Sequence, residues 1–154
     1  MTRLMIIGGL SAFVACGGGV GGGGAAPEIS SHVMSGKIGG KVWTFGTGEA
    51  RTSFADTTQF LTNAYAGSFA PCLDDTPFDT DRVVMALPRT PGTYTLSASL
   101  SQTFFSADTK ASVAATSGAL VVDSVTATRI TGGARFSYDA DNAIDGQFVV
   151  TICP

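Results

Sequence analysis

The segment Thr93-Tyr94-Thr95-Leu96-Ser97-Ala98-Ser99-Leu100-Ser101 alternates apolar and polar side chains over its whole length. Alternation with a period of two is typical of a β-strand that buries one face and exposes the other. Residues 82–88 alternate in a similar way. Pro91-Gly92 lies between the two runs and favours a turn, because proline fixes φ and glycine accepts a positive φ. We therefore predict a β-hairpin here.

Further segments are typical of short strands because they are rich in Val, Ile, Thr and aromatic residues between Gly, Asp and Asn turns. They are residues 37–45, 59–66, 119–131, 134–138 and 146–152. Gly39-Gly40 is expected to form a bulge and Gly132-Gly133 a turn. Residues 59–66 fit either a strand or one or two helical turns, and we favour the strand. Residues 134–138 are expected to pair with residues 146–152 across an Asp/Asn loop.

The expected fold class is all-β. Nothing between residues 36 and 154 shows the length and periodicity of an amphipathic helix. About seven to nine short strands separated by turn residues are typical of an antiparallel β-sandwich or open barrel. The sequence predicts one such domain over residues 36–154.

The N-terminal residues 1–15 have the pattern of an export signal. Arg3 precedes an apolar run over residues 4–14, which is too short for a spanning helix of about 20 residues. Phe13-Val14-Ala15-Cys16 resembles the lipobox of bacterial lipoproteins, with Phe13 where that pattern prefers Leu, Val or Ile. The resemblance implies that Cys16 is lipidated and begins the mature chain. The alternative is a signal peptide cleaved elsewhere, such as after Ala26.

Residues 16–35 are expected to be a flexible tether behind the lipidated cysteine, because glycine fills seven of the eight positions 17–24. The resemblance implies several acyl chains on Cys16 and therefore stable membrane attachment. Gly17, rather than Asp, follows the cysteine. Under the best-known lipoprotein sorting rule, this implies a lipid-anchored protein at the bacterial outer membrane or cell surface.

Once Cys16 carries lipid, two cysteines remain, Cys72 and Cys153. An even pair of cysteines in an exported chain most simply forms a disulfide. Metal ligation is the alternative, but two distant thiols without a nearby histidine do not supply four ligands. We therefore predict a Cys72–Cys153 disulfide that attaches the C-terminal strand.

Three short motifs extend the resemblance from the N-terminus to the domain. They are Gly40-Lys41-Val42-Trp43, Pro91-Gly92-Thr93-Tyr94-x-Leu96 and Asp145-Gly146-Gln147-Phe148 leading to Cys153. Together they resemble the small all-β domains of uncharacterised bacterial lipoproteins. These are turn and core residues, so the resemblance implies a fold and a compartment but no activity.

No enzyme activity and no cofactor are expected. The only histidine, His32, lies in the predicted tether, where it cannot be held against a serine or cysteine nucleophile. The carboxylates of Asp74, Asp75, Asp79 and Asp81 are candidates for a hydrolase pair. We favour a solvated connection for this segment, because a small sandwich rarely offers the cleft that such a pair needs.

A weak metal candidate is the run Asp139-Ala140-Asp141-Asn142-Ala143-Ile144-Asp145-Gly146. Asp139, Asp141 and Asp145 could supply oxygen ligands to calcium. Ala143 stands where a further ligand is needed, and no bidentate glutamate follows. We favour a hairpin loop in which Asp and Asn bind their own backbone.

Composition and aromatic residues limit the classes of partner. The net charge is −3 and the nine basic residues are dispersed, so no nucleic acid is expected to bind. Aromatic side chains could form a ligand platform, but most are needed in the core, and Phe104-Phe105 should point one ring outward.

The sequence predicts a non-catalytic binding or structural component of the cell envelope, with an envelope protein or glycan as partner. Calcium- or glycan-binding modules and, less favoured, a small hydrolase are the alternatives.

Overall fold

A computed structural model describes residues 28–52, 56–73, 77 and 79–154. Over these residues it contains eleven β-strands and no helix. The strands are β1 Ser35–Ile38, β2 Lys41–Thr44, β3 Thr47–Thr52, β4 Gln59–Tyr65, β5 Arg82–Pro88, β6 Gly92–Thr95, β7 Gln102–Ser106, β8 Ala111–Ala114, β9 Ser117–Val125, β10 Arg129–Asp139 and β11 Asn142–Ile152. The predicted all-β class is confirmed, with more strands than expected.

All eleven strands belong to one sheet, which curls into an open half-barrel. Nine strands follow the order β6-β9-β10-β11-β3-β4-β5-β7-β8, while β1 pairs with both β11 and β2. The pairs are antiparallel except β11–β3, where Thr151 and Ile152 lie parallel to Glu49 and Ala50. Each strand therefore contributes alternate side chains to one continuous core.

The core fills the inner face of the curled sheet. On β5, Val83, Met85 and Leu87 are fully buried and alternate with partly exposed residues. Phe136 and Phe148 come from the neighbouring strands β10 and β11 and are almost completely buried. Burial of each such side chain stabilises the fold by about 1.5–3 kcal/mol.

The predicted hairpin around Pro91-Gly92 is wrong. Both edges of β5 are already paired, with β4 and with β7, so β6 crosses to pair with β9 instead. The nine-residue strand predicted over 93–101 ends at Thr95. Beyond it, Ser97 turns the chain by accepting a hydrogen bond from the Leu100 amide at 3.1 Å, and Leu100 is buried. The alternation of apolar and polar residues therefore continues through a turn and does not mark one continuous strand.

Gly39-Gly40 forms a two-residue turn between β1 and β2, not the predicted bulge. Ile38 pairs with Lys41, and the two glycines have φ values of +58° and +78°. A two-residue hairpin turn whose central residues both have positive φ is the type that glycine favours most.

Gly132-Gly133 lies inside β10, not at the predicted turn, which the chain makes at Thr126 instead. A Cβ on Gly132 would lie 2.1 Å from the Val121 carbonyl oxygen on β9. The glycine is therefore needed for close approach between strands, as glycines within strands often are. The predicted pairing of residues 134–138 with 146–152 is confirmed, with Phe136 opposite Ile144.

Residues 59–66 are confirmed as a strand, since β4 runs over Gln59–Tyr65.

The N-terminal limit of the folded part lies before residue 36. Met34 is fully buried, its amide donates to the Gln147 carbonyl at 2.8 Å, and its carbonyl accepts from Phe45 at 2.8 Å. The segment 28–35, placed in the tether from sequence, thus packs on the sheet. The predicted signal peptide and Cys16 lie outside the described residues.

Candidate functional site

An open groove of about 520 Å³ lies where the β5–β6 connection meets the start of β4. Seven of its ten lining residues carry a hydroxyl group. They are Thr58, Thr90, Thr93, Tyr94, Thr95, Ser97 and Ser99. The other three are Gln59, Pro88 and Leu100, so no charged side chain of the described residues lines the groove.

One wall of this groove, which we call the hydroxyl groove, is β6. This strand is at one end of the sheet order and pairs only with β9. Thr93 and Thr95 are exposed on it. Among the hydrogen bonds of the described residues, none involves the hydroxyl of either threonine. Both hydroxyls can therefore donate to and accept from a bound molecule.

Tyr94 presents a rigid aromatic ring in the same wall. Its hydroxyl donates to the Thr90 carbonyl oxygen at 2.8 Å and lies 2.9 Å from the Thr90 hydroxyl. A Cβ on Gly92 would lie 3.2 Å from Tyr94 Oη, so the ring folds back over the glycine. Because both ends of the side chain are held, the ring loses little conformational entropy when a ligand binds.

The opposite wall is held by hydrogen bonds among its own polar groups. Gln59 Nε2 donates to Asp56 Oδ2 at 2.8 Å and to the Ser99 carbonyl at 3.0 Å. The hydroxyl and amide of Thr58 both donate to Asp56 Oδ1, which holds the pKa of that carboxyl below its usual range. The groove is therefore preorganised on both sides.

The lining of the hydroxyl groove offers hydrogen-bonding groups and one aromatic ring. Hydroxyl and amide groups can hydrogen-bond a neutral polar molecule, and a tyrosine ring can pack against its apolar faces. The lining has no histidine, carboxylate, amine or thiol in the described residues that could act as a general base or nucleophile.

A second polar cluster is centred on Glu49 of β3. Glu49 is fully buried, and its Oε2 accepts a hydrogen bond from the Cys72 amide at 3.0 Å. Arg51 Nε lies 3.3 Å from Glu49 Oε1. The Cys72–Cys153 disulfide predicted from the cysteine count is present, with the two Cα atoms 5.3 Å apart, and Cys153 Sγ lies 3.9 Å from Glu49 Oε2.

Within the described part of the chain, Glu49, Cys72 and Cys153 form the only group of three or more potential metal-ligating residues. The Glu49 carboxylate oxygen and the sulfur atoms of Cys72 and Cys153 all lie within 4.8 Å of one another. Metal ligation by cysteine requires a thiolate. Because both sulfur atoms belong to the disulfide, this oxidised form offers only one anionic ligand.

The structure does not bring the calcium candidates together. Asp139 Oδ1 accepts from the Asp141 amide at 3.0 Å and from Asn142 Nδ2 at 2.9 Å, as expected for a hairpin loop. Asp145 lies on β11, where its carboxylate accepts two hydrogen bonds from Ser30. The hairpin-loop interpretation accounts for Asp139, and Asp145 serves to attach the N-terminal segment.

The other sequence candidates are dispersed. His32 is exposed, with Nδ1 2.9 Å from the Val33 carbonyl oxygen. Asp79 pairs with Lys110 at 3.2 Å, and Asp81 accepts from the Ala107 amide at 2.7 Å. Asp74 and Asp75 lie outside the described residues.

Most of the described aromatic side chains belong to the core or pack against it, as the sequence favoured. Trp43, Phe60 and Phe104 are each at most 5% exposed. Phe105 points to the other face of β7 as expected, where the Arg82 guanidinium covers its ring at 4.0 Å from the centroid. Neither ring of the Phe104-Phe105 pair therefore offers a free apolar platform.

Sequence reasoning missed both polar sites. A signal for the hydroxyl groove existed, because residues 90–101 are unusually rich in Ser and Thr, but the period-two pattern made them look like one strand. Glu49 gave no signal, since an isolated glutamate in a polar run is expected on the surface.

Comparisons with protein-family models, curated proteins and solved structures find no match to this chain. Over the described residues, no helix has the length and apolar character needed to cross a membrane.

Proposed function

We propose that this chain is a lipid-anchored lipoprotein of the bacterial cell envelope whose non-catalytic β domain binds a neutral glycan in the hydroxyl groove. In this proposal Cys16 carries the lipid, and residues 17–27 connect it to the sheet. The domain then faces outward from the outer membrane or cell surface, where glycans are available. The observation that carries the binding role is the groove lined by seven hydroxyl-bearing side chains.

The anchor is supported by the sequence. The apolar run before Cys16 is too short to span a bilayer, and small residues precede the cysteine directly.

The glycan assignment is supported by the chemistry of the groove. A neutral sugar presents many hydroxyl groups on its edges and apolar C–H groups on its faces. Thr93 and Thr95 offer hydroxyls that have no hydrogen-bond partner among the described residues, while Tyr94 offers a fixed ring. An anionic ligand would instead require basic side chains in the lining, and the described residues place none there.

The anchor is tested by Cys16→Ala in cells grown with a labelled fatty acid. We expect the wild-type chain to carry label and to partition into the detergent phase, and the variant to lose both properties. A labelled, membrane-bound variant would contradict the anchor. Cys72→Ala serves as the control, because it removes a cysteine but should leave the label in place.

The binding role is tested with the purified full chain and a panel of neutral glucose, galactose and N-acetylglucosamine oligomers, by isothermal titration calorimetry. We expect Thr93→Val/Thr95→Val to weaken binding by about tenfold, or ~1.4 kcal/mol, because the isosteric change removes two hydroxyls. Thr128→Val changes an exposed threonine that does not line the groove and should leave the affinity unchanged.

Two results would refute the glycan assignment. One is the absence of binding to every oligomer in the panel. The other is equal affinity of the groove variant and the Thr128 variant, which would place any binding elsewhere. Neither result bears on the anchor, which depends on Cys16 alone.

A further inference from the structure

The two sulfur atoms of the disulfide differ in their surroundings. Cys153 is only 4% exposed and its sulfur lies 3.9 Å from the buried carboxylate of Glu49. Cys72 is partly exposed and lies within the connection from β4 to β5. Cys72 also has a φ of +71°, a left-handed conformation that is uncommon for residues other than glycine. Residue exposure therefore favours attack by an external thiol at Cys72 over attack at Cys153.

We propose that Cys72 is the site at which an external thiol attacks this disulfide, and that Glu49 restrains the reaction by opposing the departure of Cys153. The attacking thiolate forms a new S–S bond with Cys72 Sγ. The bond between Cys72 and Cys153 breaks, and its electron pair remains on Cys153 Sγ as a thiolate. The products are a mixed disulfide at Cys72 and a free Cys153.

The restraint follows from the charge beside the leaving sulfur. The departing thiolate would form within about 4 Å of the Glu49 carboxylate, between two residues that are almost completely buried. Like charges at this distance repel strongly where water cannot screen them. A poorer leaving thiolate makes thiol–disulfide exchange slower.

Arg51 offsets this effect only in part. Its guanidinium approaches Glu49 at 3.3 Å, but its side chain is 49% exposed, whereas that of Glu49 is fully buried. The cation is therefore screened by water more than the carboxylate is. The Cys72 amide, which donates to Glu49 Oε2 at 3.0 Å, keeps the carboxylate directed at the disulfide.

The rate of disulfide reduction tests the proposal. The full chain is treated with 2-mercaptoethanol, a neutral thiol, at pH 8, and free thiols are alkylated and quantified over time. We expect Glu49→Gln to be reduced roughly five to ten times faster than wild type, because the repelling charge is gone. Mass spectrometry of the quenched intermediate should find the adduct on Cys72.

Arg51→Gln distinguishes charge from a loosened structure. This variant also breaks the Glu49–Arg51 pair but leaves the carboxylate in place, so its reduction should be no faster than that of wild type. Equal acceleration in both variants would overturn the proposal, because it would indicate a general loosening of the site. An adduct on Cys153, or an unchanged rate in Glu49→Gln, would also overturn it.

Discussion

Ser30 and Asp145 are 115 residues apart in the sequence and are joined by two hydrogen bonds. The Ser30 amide donates to Asp145 Oδ1 at 3.0 Å, and its hydroxyl donates to Oδ2 at 2.6 Å. The carboxylate thus attaches the N-terminal segment to β11. In the proposed function, this contact sets where the connection from Cys16 reaches the domain.

Ser30→Ala should lower the free energy of unfolding by about 1 kcal/mol at pH 7, because a hydroxyl donor to a carboxylate is lost. Burial raises the pKa of Asp145, but the Ser30 hydrogen bonds, together with the electrostatic influence of Arg135 and His32, outweigh burial and hold the pKa below its ordinary value of 3.8. The stabilisation is therefore fully present above pH 3.8 and is lost as the pH falls through the lower, folded-state pKa.

Urea unfolding between pH 2 and pH 7, followed by the fluorescence of the single tryptophan Trp43, measures this effect. The difference between wild type and Ser30→Ala should shrink at the acid end of the range. Ser112→Ala, on the exposed edge strand β8, should stay close to wild type throughout. A difference that is independent of pH would contradict the assignment to Asp145.

Tyr65→Phe should leave stability at pH 7 unchanged or raise it by up to about 1 kcal/mol. Tyr65 is fully buried, and its hydroxyl has no hydrogen-bond partner among the described residues. Removing an unsatisfied buried polar group costs little or is favourable.

The same residue should make the wild-type protein sensitive to alkali. Burial raises the pKa of Tyr65 to about 12, so the folded state retains a proton that the unfolded state loses near pH 10. The contribution of this group to the free energy of unfolding is fully present below pH 10 and is lost as the pH rises toward 12. Tyr65→Phe should lack this loss, whereas Tyr138→Phe, at an exposed position, should retain it.

Removing the disulfide with Cys72→Ala/Cys153→Ala should destabilise the domain by about 4 kcal/mol, because the bond closes a loop with a sequence separation of 81 residues. Chemical unfolding in a Cys16→Ala background measures this loss without an anchor. Cys16→Ala alone is the reference. Its free energy of unfolding should equal that of the chain that retains Cys16. A loss below about 1 kcal/mol would mean that the loop is held chiefly by its other contacts.

Gly132→Ala should destabilise the fold by about 3 kcal/mol, because a Cβ would lie 2.1 Å from the Val121 carbonyl oxygen and 3.0 Å from Phe148 Cζ. Gly67→Ala is the matched control, since a Cβ there meets no atom within 4 Å. The two midpoints of thermal unfolding, compared with wild type, measure the effect. Similar midpoints for both variants would show that β9 and β10 can move apart at little cost.

Local pattern was sufficient for the class of fold and for many of its strands. Alternation in residues 82–88 and the Val-rich segment 146–152 identified β5 and β11 from sequence, because each strand buries alternate residues on one sheet face. The same rule failed at Ser97, where a hydroxyl bonds the Leu100 amide and ends the strand. A local hydrogen bond of this kind leaves the apolar period intact, so the pattern could not reveal it.

Pairing between strands was beyond the reach of local pattern. Sequence proximity favoured β5 with β6, yet β5 is flanked by β4 and β7. Partner choice depends on which edges remain open once the sheet has curled, and that is a property of the whole fold. The two glycines of β10 illustrate the point, because their role depends on Val121 and Gln147, which lie on neighbouring strands.

The sequence alone determined the all-β class, the pairing of the last two strands and the expectation of a Cys72–Cys153 bond, because each depends on residue type and spacing. Only the tertiary structure placed Glu49 against that bond and assembled the hydroxyl groove from three separate segments. Both features arise where the curled sheet brings distant residues within hydrogen-bond distance. No periodicity along one strand encodes such a meeting, since it depends on the geometry of the strands that lie beside it.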